Sequence, residues 1–272
     1  MSTTTTPTIL TIAGSDTYGG AGLQIDLKTI HHLGGYALSA TTALTSQNST
    51  GVKDVFSVPS EVVERQLNVL LEDIQVDAVK IGMLANKDII EVLVKTIDKF
   101  QLKNIVLDTV LVSSSGKDLL ESNAINMMKE ELFPRVDLIT PNIPEVHSLL
   151  RNTSYTGKKE EVQSTAKQFF DLGVNAVLLK GGHAQKTDSV IDYLIERPDS
   201  ISTHTTKRVE TTHTHGTGCL LSSAIATNLA LGHTLEKSVF LSKEFIYNSL
   251  YDSSRLNLNY TRENKRRKEP IF

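Results

Sequence analysis

The stretch TTHTHGTGCLLSSAIA, Thr211 to Ala226, holds the single cysteine of the chain, directly after Gly216-Thr217-Gly218 and directly before an apolar run. Leu220, Leu221, Ala224, Ile225, Leu229 and Leu231 recur at helical spacing, which makes the Gly-Thr-Gly the N-terminal turn of that helix. The first amides of a helix have no intrahelical partner, the helix dipole favours negative charge there, and glycines let backbone approach a ligand closely. Gly216 to Gly218 are therefore a candidate cradle for a phosphate in flight, with Cys219 beside the transferred group. A thiol at a helix N-terminus is expected to have a lowered pKa, giving a usable base or nucleophile near neutral pH. Two other readings stand next to this one. Cys219 can be a small buried hydrophobe at a helix start, or a zinc ligand with His213 and His215, although that ligand set is incomplete.

Three further stretches have residue types suited to the same chemistry. TIAGSDTYGGAGLQIDLKTI ends a strand at Ala13, turns at Gly14, and passes Gly19, Gly20 and Gly22 into a helix with Leu23, Ile25, Leu27 and Ile30. It lacks both the Gly-Lys-Ser/Thr of a P-loop and a GxGxxG. A loop over a small organic substrate fits better, with Asp16 and Asp26 as polar contacts. In DLITPNIPEVHSLL, Pro141 and Pro144 fix the exit from a strand, and Asn142 and Glu145 stand three apart where the next helix begins. Their oxygens suit Mg²⁺ held through its waters, and a helix cap explains the same pair. AVLLKGGH places Lys180 at the end of a buried strand, where parallel sheets bind ligands and a cation can balance ATP phosphate charge.

These residues need elements to position them. Short apolar runs alternate with longer amphipathic ones along all 272 residues, as when helical crossovers join parallel strands, so one α/β domain is expected. The expected strands are TILTIA, ALSATTAL, AVKIGM, NIVLD, VDLIT and AVLLK, mostly apolar on both faces. SEVVERQLNVLLEDI is an outer-layer helix, and VIDYLIE with SISTHTTKRVE reads as an antiparallel pair at the sheet edge. A core of about residues 8–250 is expected, with flexible tails at 1–7 and 261–272.

Composition narrows the partners. Hydrophobic residues make up 39% and charged residues 22%, with a net charge of −3, so no overall field collects nucleic acid or an acidic membrane. Only RENKRRKEP offers a basic patch, and it reads as a solvated end. One cysteine, no basic-then-apolar start and no run of about 20 apolar residues give the expectation of a soluble protein in a reducing, cytoplasmic compartment.

Taken in order, TIAGSDTYGGAGLQIDLKT, TSQNSTGV, KIGML, VLDTV, TPNIPE, LLKGGH and THGTGC follow the sequence of motifs in the ribokinase-like superfamily. They closely resemble its hydroxymethylpyrimidine/phosphomethylpyrimidine kinase branch, from Thr8 to Gly232. The resemblance implies a three-layer α/β/α sandwich with a mostly parallel central sheet. It also implies ATP-dependent phosphorylation of 4-amino-5-hydroxymethyl-2-methylpyrimidine and of its monophosphate for thiamine synthesis, with Mg²⁺. Cys219 then occupies the position at which most of the superfamily has an aspartate base. Gln47 would hydrogen-bond the aminopyrimidine, with Gly14 and Met83 close to its ring. Asn142 and Glu145 match the NxxE metal motif, Asp108 the strand-end aspartate near metal and phosphates, and Lys180 the phosphate-contacting lysine. Gly216 and Gly218, with Thr217 between them, supply the anion hole. A homodimer is implied as well. Two features depart from the branch: the ending YTRENKRRKEPIF replaces its GPVNHF-like terminus, and Thr109 stands where many relatives have Pro. A pyridoxal or pyridoxine kinase is the rival enzyme, and a non-catalytic pyrimidine sensor the rival class.

Overall fold

The computed structural model describes residues 6–255, apart from 49–50, 114–115, 117, 152–153, 183, 185–187, 199 and 212–213. The expected tails, apart from residues 6 and 7, and the basic stretch within the C-terminal one fall outside the described residues, as does His213.

Among the described residues nine strands form one sheet: β1 (Thr8–Asp16), β2 (Tyr36–Asn48), β3 (Gly51–Ser57), β4 (Ala78–Ile81), β5 (Ile105–Leu107), β6 (Leu138–Ile139), β7 (Ala176–Leu179), β8 (Ser189–Glu196) and β9 (Ser200–Lys207). Their order is β3-β2-β1-β4-β5-β6-β7-β8-β9. From β2 to β7 every pairing is parallel. The edges are antiparallel, with β3 on β2 and the β8–β9 pair on β7. Between the strands run α1 (Gly22–His32), α2 (Ser60–Asp73), α3 (Lys87–Phe100), α4 (Ser122–Met127), α5 (Ile143–Leu150) and α6 (Lys159–Asp171), and α7 (Thr217–Ala230) and α8 (Leu235–Arg255) close the chain. Among the described residues no helix is long and apolar enough to cross a membrane.

The period of two along a strand sends alternate residues to opposite faces. Ile9, Ala78, Val106, Leu138 and Ala176 join Ile30, Leu221 and Val239 in one core, under α1, α7 and α8. Leu10, Val79, Leu107, Ile139 and Val177 join Leu67, Leu93, Val146 and Phe169 in the other, under α2, α3, α5 and α6. The fold is thus a three-layer α/β/α sandwich.

Followed two residues further toward the carboxyl ends, the α7-side face changes character. Ile9 gives way to Thr11, Ala78 to Lys80, Val106 to Asp108, Leu138 to Thr140 and Leu178 to Lys180. Apolar positions hold the helices at one end of the sheet, and polar positions gather at the end where open parallel sheets bind ligands.

The strands expected from sequence all form, with the antiparallel pair at the edge. β3 is the addition. GVKDVFS has adjacent charges at Lys53 and Asp54 and no buried residue, so it carries no strand signal of its own. It exists because β2 runs on to Asn48 and offers a free edge to pair with, Leu44 opposite Phe56 and Gln47 opposite Val52.

Candidate active site

A cleft of about 730 Å³ lies along the carboxyl ends of the strands, within the size range of small-molecule sites. Gly14, Gln47, Met83, Asp108, Asn142, Glu145, Lys180 and Gly216 to Cys219 all line it. Asp26 does not.

The phosphate end is built by three strand ends and one helix. Lys180 follows β7 and Asp108 follows β5, and their Nζ and Oδ1 atoms are 3.0 Å apart. Asp108 also accepts from Thr140 Oγ1 at 3.0 Å and Ser222 Oγ at 3.4 Å. Burial works against its ionisation, but the Lys180 and Lys80 ammoniums and these hydrogen bonds hold its carboxyl below the ordinary aspartate value. Lys180 is likewise resisted by burial, yet Asp108 and Glu145 push its pKa upward, so it is a permanent cation.

Against this pair comes the first turn of α7. Gly216 is its N-cap with φ of +80°, and a Cβ there would collide with the Gly20 carbonyl. A Cβ on Gly218 would stand 3.2 Å from Asp108 Oδ2 and 3.5 Å from Lys180 Nζ, so the helix amides approach the charged pair only because both positions are glycine. Thr217 Oγ1 donates to the Thr214 carbonyl at 2.9 Å and secures the turn.

Asn142 and Glu145 start α5 as a capping box. Asn142 Oδ1 accepts from the Glu145 N–H at 2.9 Å, and Glu145 Oε2 accepts from the Asn142 N–H at 2.8 Å. Thr109 Oγ1 donates to Glu145 Oε2 at 3.0 Å, and Lys180 Nζ lies 3.9 Å from the same oxygen. The cap and the site are one arrangement: the amide of Asn142 is spent on fixing Glu145, whose carboxylate faces the cluster. Burial and the nearby Asp108 charge push the Glu145 pKa up against the pull of Lys180.

Two expectations are corrected. Asp26, expected at the substrate, is wholly buried under α1, where its Oδ2 accepts from Thr11 Oγ1 at 2.6 Å and pairs with Lys80 Nζ at 2.7 Å. The reason is its place on the inward face of α1 with Leu23 and Ile30. The Cys219 thiol, expected below its ordinary pKa, is instead pushed up to about 11. Burial is the chief cause. The Lys80 ammonium and the Gly22 N–H oppose it, and the carboxylates of Asp26 and Asp108 add to it.

At the substrate end, Gly14 and Met83 meet closely, with the Met83 sulfur 3.0 Å from where a Cβ on Gly14 would stand. Gln47 Nε2 lies 2.8 Å from His215 Nε2, and the same ring nitrogen is 3.2 Å from Asp16 Oδ2. His215 thus ties the turn before α7 to β2 and to the β1–α1 loop, a part no sequence signal assigns beyond its place next to Gly216. Asp192, Lys243 and Tyr247 line the far end of the cleft and were likewise not legible, because they come from the edge pair and α8.

Residues 16–264 match the family described as phosphomethylpyrimidine kinase. The chain is 42% identical over 217 residues to the hydroxymethylpyrimidine/phosphomethylpyrimidine kinase of Escherichia coli strain K12, covering 80% of each chain. It is 38% identical over 244 residues to the chloroplastic thiamine biosynthetic bifunctional enzyme of Arabidopsis thaliana, covering 90% of this chain and 46% of that one. The chain spans about half the length of the bifunctional relatives it matches. Among solved structures, the pyridoxal kinase of Staphylococcus aureus in complex with AMP-PCP and pyridoxal superposes with a TM-score of 0.82 at 30% identity, covering 91% of this chain and 88% of that one.

Proposed function

The chain belongs to the phosphomethylpyrimidine kinase family, and from that premise we propose that it transfers the γ-phosphoryl group of ATP to the hydroxymethyl oxygen of 4-amino-5-hydroxymethyl-2-methylpyrimidine, and then to the phosphate of that product, in thiamine synthesis. The observation that carries this is the meeting of the α7 N-terminus with the Lys180–Asp108 pair beside Cys219, in a cleft whose other wall presents Gln47.

The substrate oxygen attacks γ-phosphorus, the new O–P bond forms as the bond to the bridging oxygen of ADP breaks, and the hydroxyl proton passes to the sulfur of Cys219 and on to solvent. The amides of Gly216 to Gly218 face the oxygens on which charge builds, and Lys180 balances the phosphates of ATP. The amide of Gln47 pairs with the donor and acceptor edge of the aminopyrimidine once it leaves His215. The far end, at Asp192, Lys243 and Tyr247, takes the nucleoside.

Mg²⁺ fits the donor set: the carboxylates of Asp108 and Glu145 are hard oxygen donors beside the phosphate cradle, and this ion is commonly held by one or two carboxylates together with waters and substrate phosphates. When bound it neutralises charge developing on those phosphates. Asn142 serves it by holding Glu145 in place.

The antiparallel pair of Leu44 and Phe56, 51% and 64% exposed, supports a homodimer in which a second copy covers this edge; light scattering of the purified chain tests it. The activity itself is tested by product mass. Incubation with ATP, Mg²⁺ and the hydroxymethylpyrimidine gives products heavier by one and then two phosphoryl groups. The likeness to a pyridoxal kinase supplies the second reading, and faster initial rates with pyridoxal than with the pyrimidine establish it instead.

A further inference from the structure

The proposed transfer runs twice, and its two acceptors make different demands. The first is a neutral alcohol, which has a proton to give up. The second is a phosphate monoester, whose oxygens are largely deprotonated near neutral pH because the second ionisation of such a group falls at about 6. It brings negative charge that must lie against the phosphoryl group of ATP. A charge-assisted donor on the acceptor side is therefore needed in the second transfer and idle in the first.

The place for such a donor follows from the two ends of the acceptor. The pyrimidine ring is read at Gln47 and the transferring phosphoryl group is held at Gly216 to Gly218, so the acceptor phosphate lies between them. His215 spans this interval. Its backbone directly precedes Gly216, the N-cap of α7, and its ring reaches Gln47, Nε2 to Nε2, at 2.8 Å. A Cβ on Gly20 would stand 2.9 Å from His215 Cδ2, so the β1–α1 loop admits the imidazole because residue 20 is glycine. Among the described residues that line the cleft, the lysines and arginine stand elsewhere. Lys180 is engaged by Asp108, and Lys207, Arg208 and Lys243 come from the end of β9, the segment after it and α8.

The contacts of His215 Nε2 can be exchanged. It also lies 3.2 Å from Asp16 Oδ2, but that carboxylate accepts in addition from the N–H groups of Tyr18, Gly20 and Ala21. The ring can turn toward a phosphate without stranding Asp16. We propose that His215 is the specificity-determining residue of the second phosphorylation: when the pyrimidine takes the amide of Gln47, the position that amide held on Nε2 passes to an oxygen of the acceptor phosphate, to which the Nε2–H donates. This rests on the kinase reading above. In the second transfer one oxygen of the acceptor phosphate attacks γ-phosphorus, and the new O–P bond forms as the bond to the bridging oxygen of ADP breaks. His215 holds a second oxygen of the same phosphate.

Calorimetric titration without ATP compares the alcohol with its monophosphate on the parent and two variants. His215→Leu removes the donor. It should weaken binding of the monophosphate about tenfold or more, the reach of one hydrogen bond to a charged group, while the alcohol binds no more weakly than to the parent. His215→Gln keeps an N–H and should recover part of that loss. Equal losses for the two ligands, or a monophosphate affinity unchanged in the Leu variant, overturn the proposal. With ATP and Mg²⁺, product mass should show the Leu variant accumulating the monophosphate. A parent that phosphorylates neither acceptor defeats the kinase reading, whereas a Leu variant that makes both products in the parent's ratio defeats this proposal alone. Where the Leu variant does not fold, the parent decides. The His215 side chain is 34% exposed, within reach of diethyl pyrocarbonate, and its carbethoxylation can be read at that residue by peptide mass spectrometry. Saturating monophosphate should slow that reaction more than saturating alcohol does, and equal protection by the two is the contrary result.

Discussion

Two lysine–aspartate pairs lie side by side on the α7-facing surface of the sheet and differ in almost everything except their length. Lys80–Asp26 measures 2.7 Å with side chains 0% and 0% exposed, and Lys180–Asp108 measures 3.0 Å with 13% and 2%. In the sealed pair one carboxylate oxygen has no hydrogen-bond partner among the described residues, whereas in the open pair Asp108 is shared among Lys180, Thr140 and Ser222. A pair at the cleft surface can trade partners with an incoming phosphate because other donors hold its carboxylate meanwhile. A sealed pair cannot trade, and acts at a distance through its field alone. Depth thus separates a ligand-binding ion pair from one that can only bias its neighbours.

The largest effect is expected at the open pair. Lys180→Met removes the cation that balances the transferring phosphate and leaves Asp108 facing ATP with its charge uncompensated. Turnover should fall on the order of 10³-fold or more, in the range of cationic groups that act on phosphoryl transfer. Steady-state kinetics at saturating ATP measures it. Turnover close to the parent's would erase the distinction drawn here.

Cys219, next to Gly218 at the open pair, comes next. Cys219→Ala should lower turnover about 10²- to 10⁴-fold while leaving substrate affinity nearly intact, the reach of general base catalysis. With its thiol pushed up to about 11, the parent enzyme should also gain kcat/KM as pH rises through the neutral range, because the deprotonated form is the active one and lies on the alkaline side. The Ala variant should lose that slope. Turnover equal to the parent would make Cys219 a packing residue and leave the amides of α7 to carry the step.

Gln47 is at the substrate end of the cleft and should separate binding from chemistry. Gln47→Leu leaves polar atoms of the pyrimidine unpaired and should cost about 1–3 kcal/mol of its affinity, with ATP affinity unmoved. Titration of each ligand against parent and variant decides it, and equal losses for both would place Gln47 in the scaffold.

The same contrast of depth explains what was legible in the sequence. Lys180 precedes Gly181 and Gly182, and Pro141 and Pro144 bracket Asn142 just ahead of Glu145, so local punctuation marks these three, whereas Asp108, followed by Thr109, was placed by the resemblance alone; all four line the cleft. Asp26 was misplaced because a polar residue near a glycine-rich loop suggests a ligand contact. The contrary signal was present: Asp26 lies on the inward face of its helix with Leu23 and Ile30, and Lys80 interrupts a strand buried throughout, so the two needed each other. The thiol failed for a different reason. A helix N-terminus is visible in sequence, but burial and two carboxylates brought in from β5 and α1 are tertiary facts. β3 was missed because its only reason to be extended is the free edge of β2.

The smallest effect concerns a third way of holding a carboxylate, with backbone amides in place of a lysine. Asp16 accepts from the N–H groups of Tyr18 at 2.8 Å, Gly20 at 3.0 Å and Ala21 at 2.8 Å, with His215 Nε2 at 3.2 Å. Burial opposes its ionisation, but the hydrogen bonds from His215, Tyr18 and Ala21 outweigh burial and hold its pKa below the ordinary 3.8. A depressed folded-state value means that ionised Asp16 contributes stability at pH above the unfolded value, and that this contribution is lost as pH falls through the folded one. Between about pH 5 and pH 2 the parent should therefore lose melting temperature partly through this residue. Asp16→Asn turns one acceptor into a donor facing N–H groups, so it should melt a few degrees lower at neutral pH and show a shallower decline into acid. Thermal melts across that range measure both. Parallel curves for parent and variant would mean that the amides of the β1–α1 loop hold Asp16 no more tightly when it is charged. A charge fixed in this fold would then need a lysine, sealed or open, at its side.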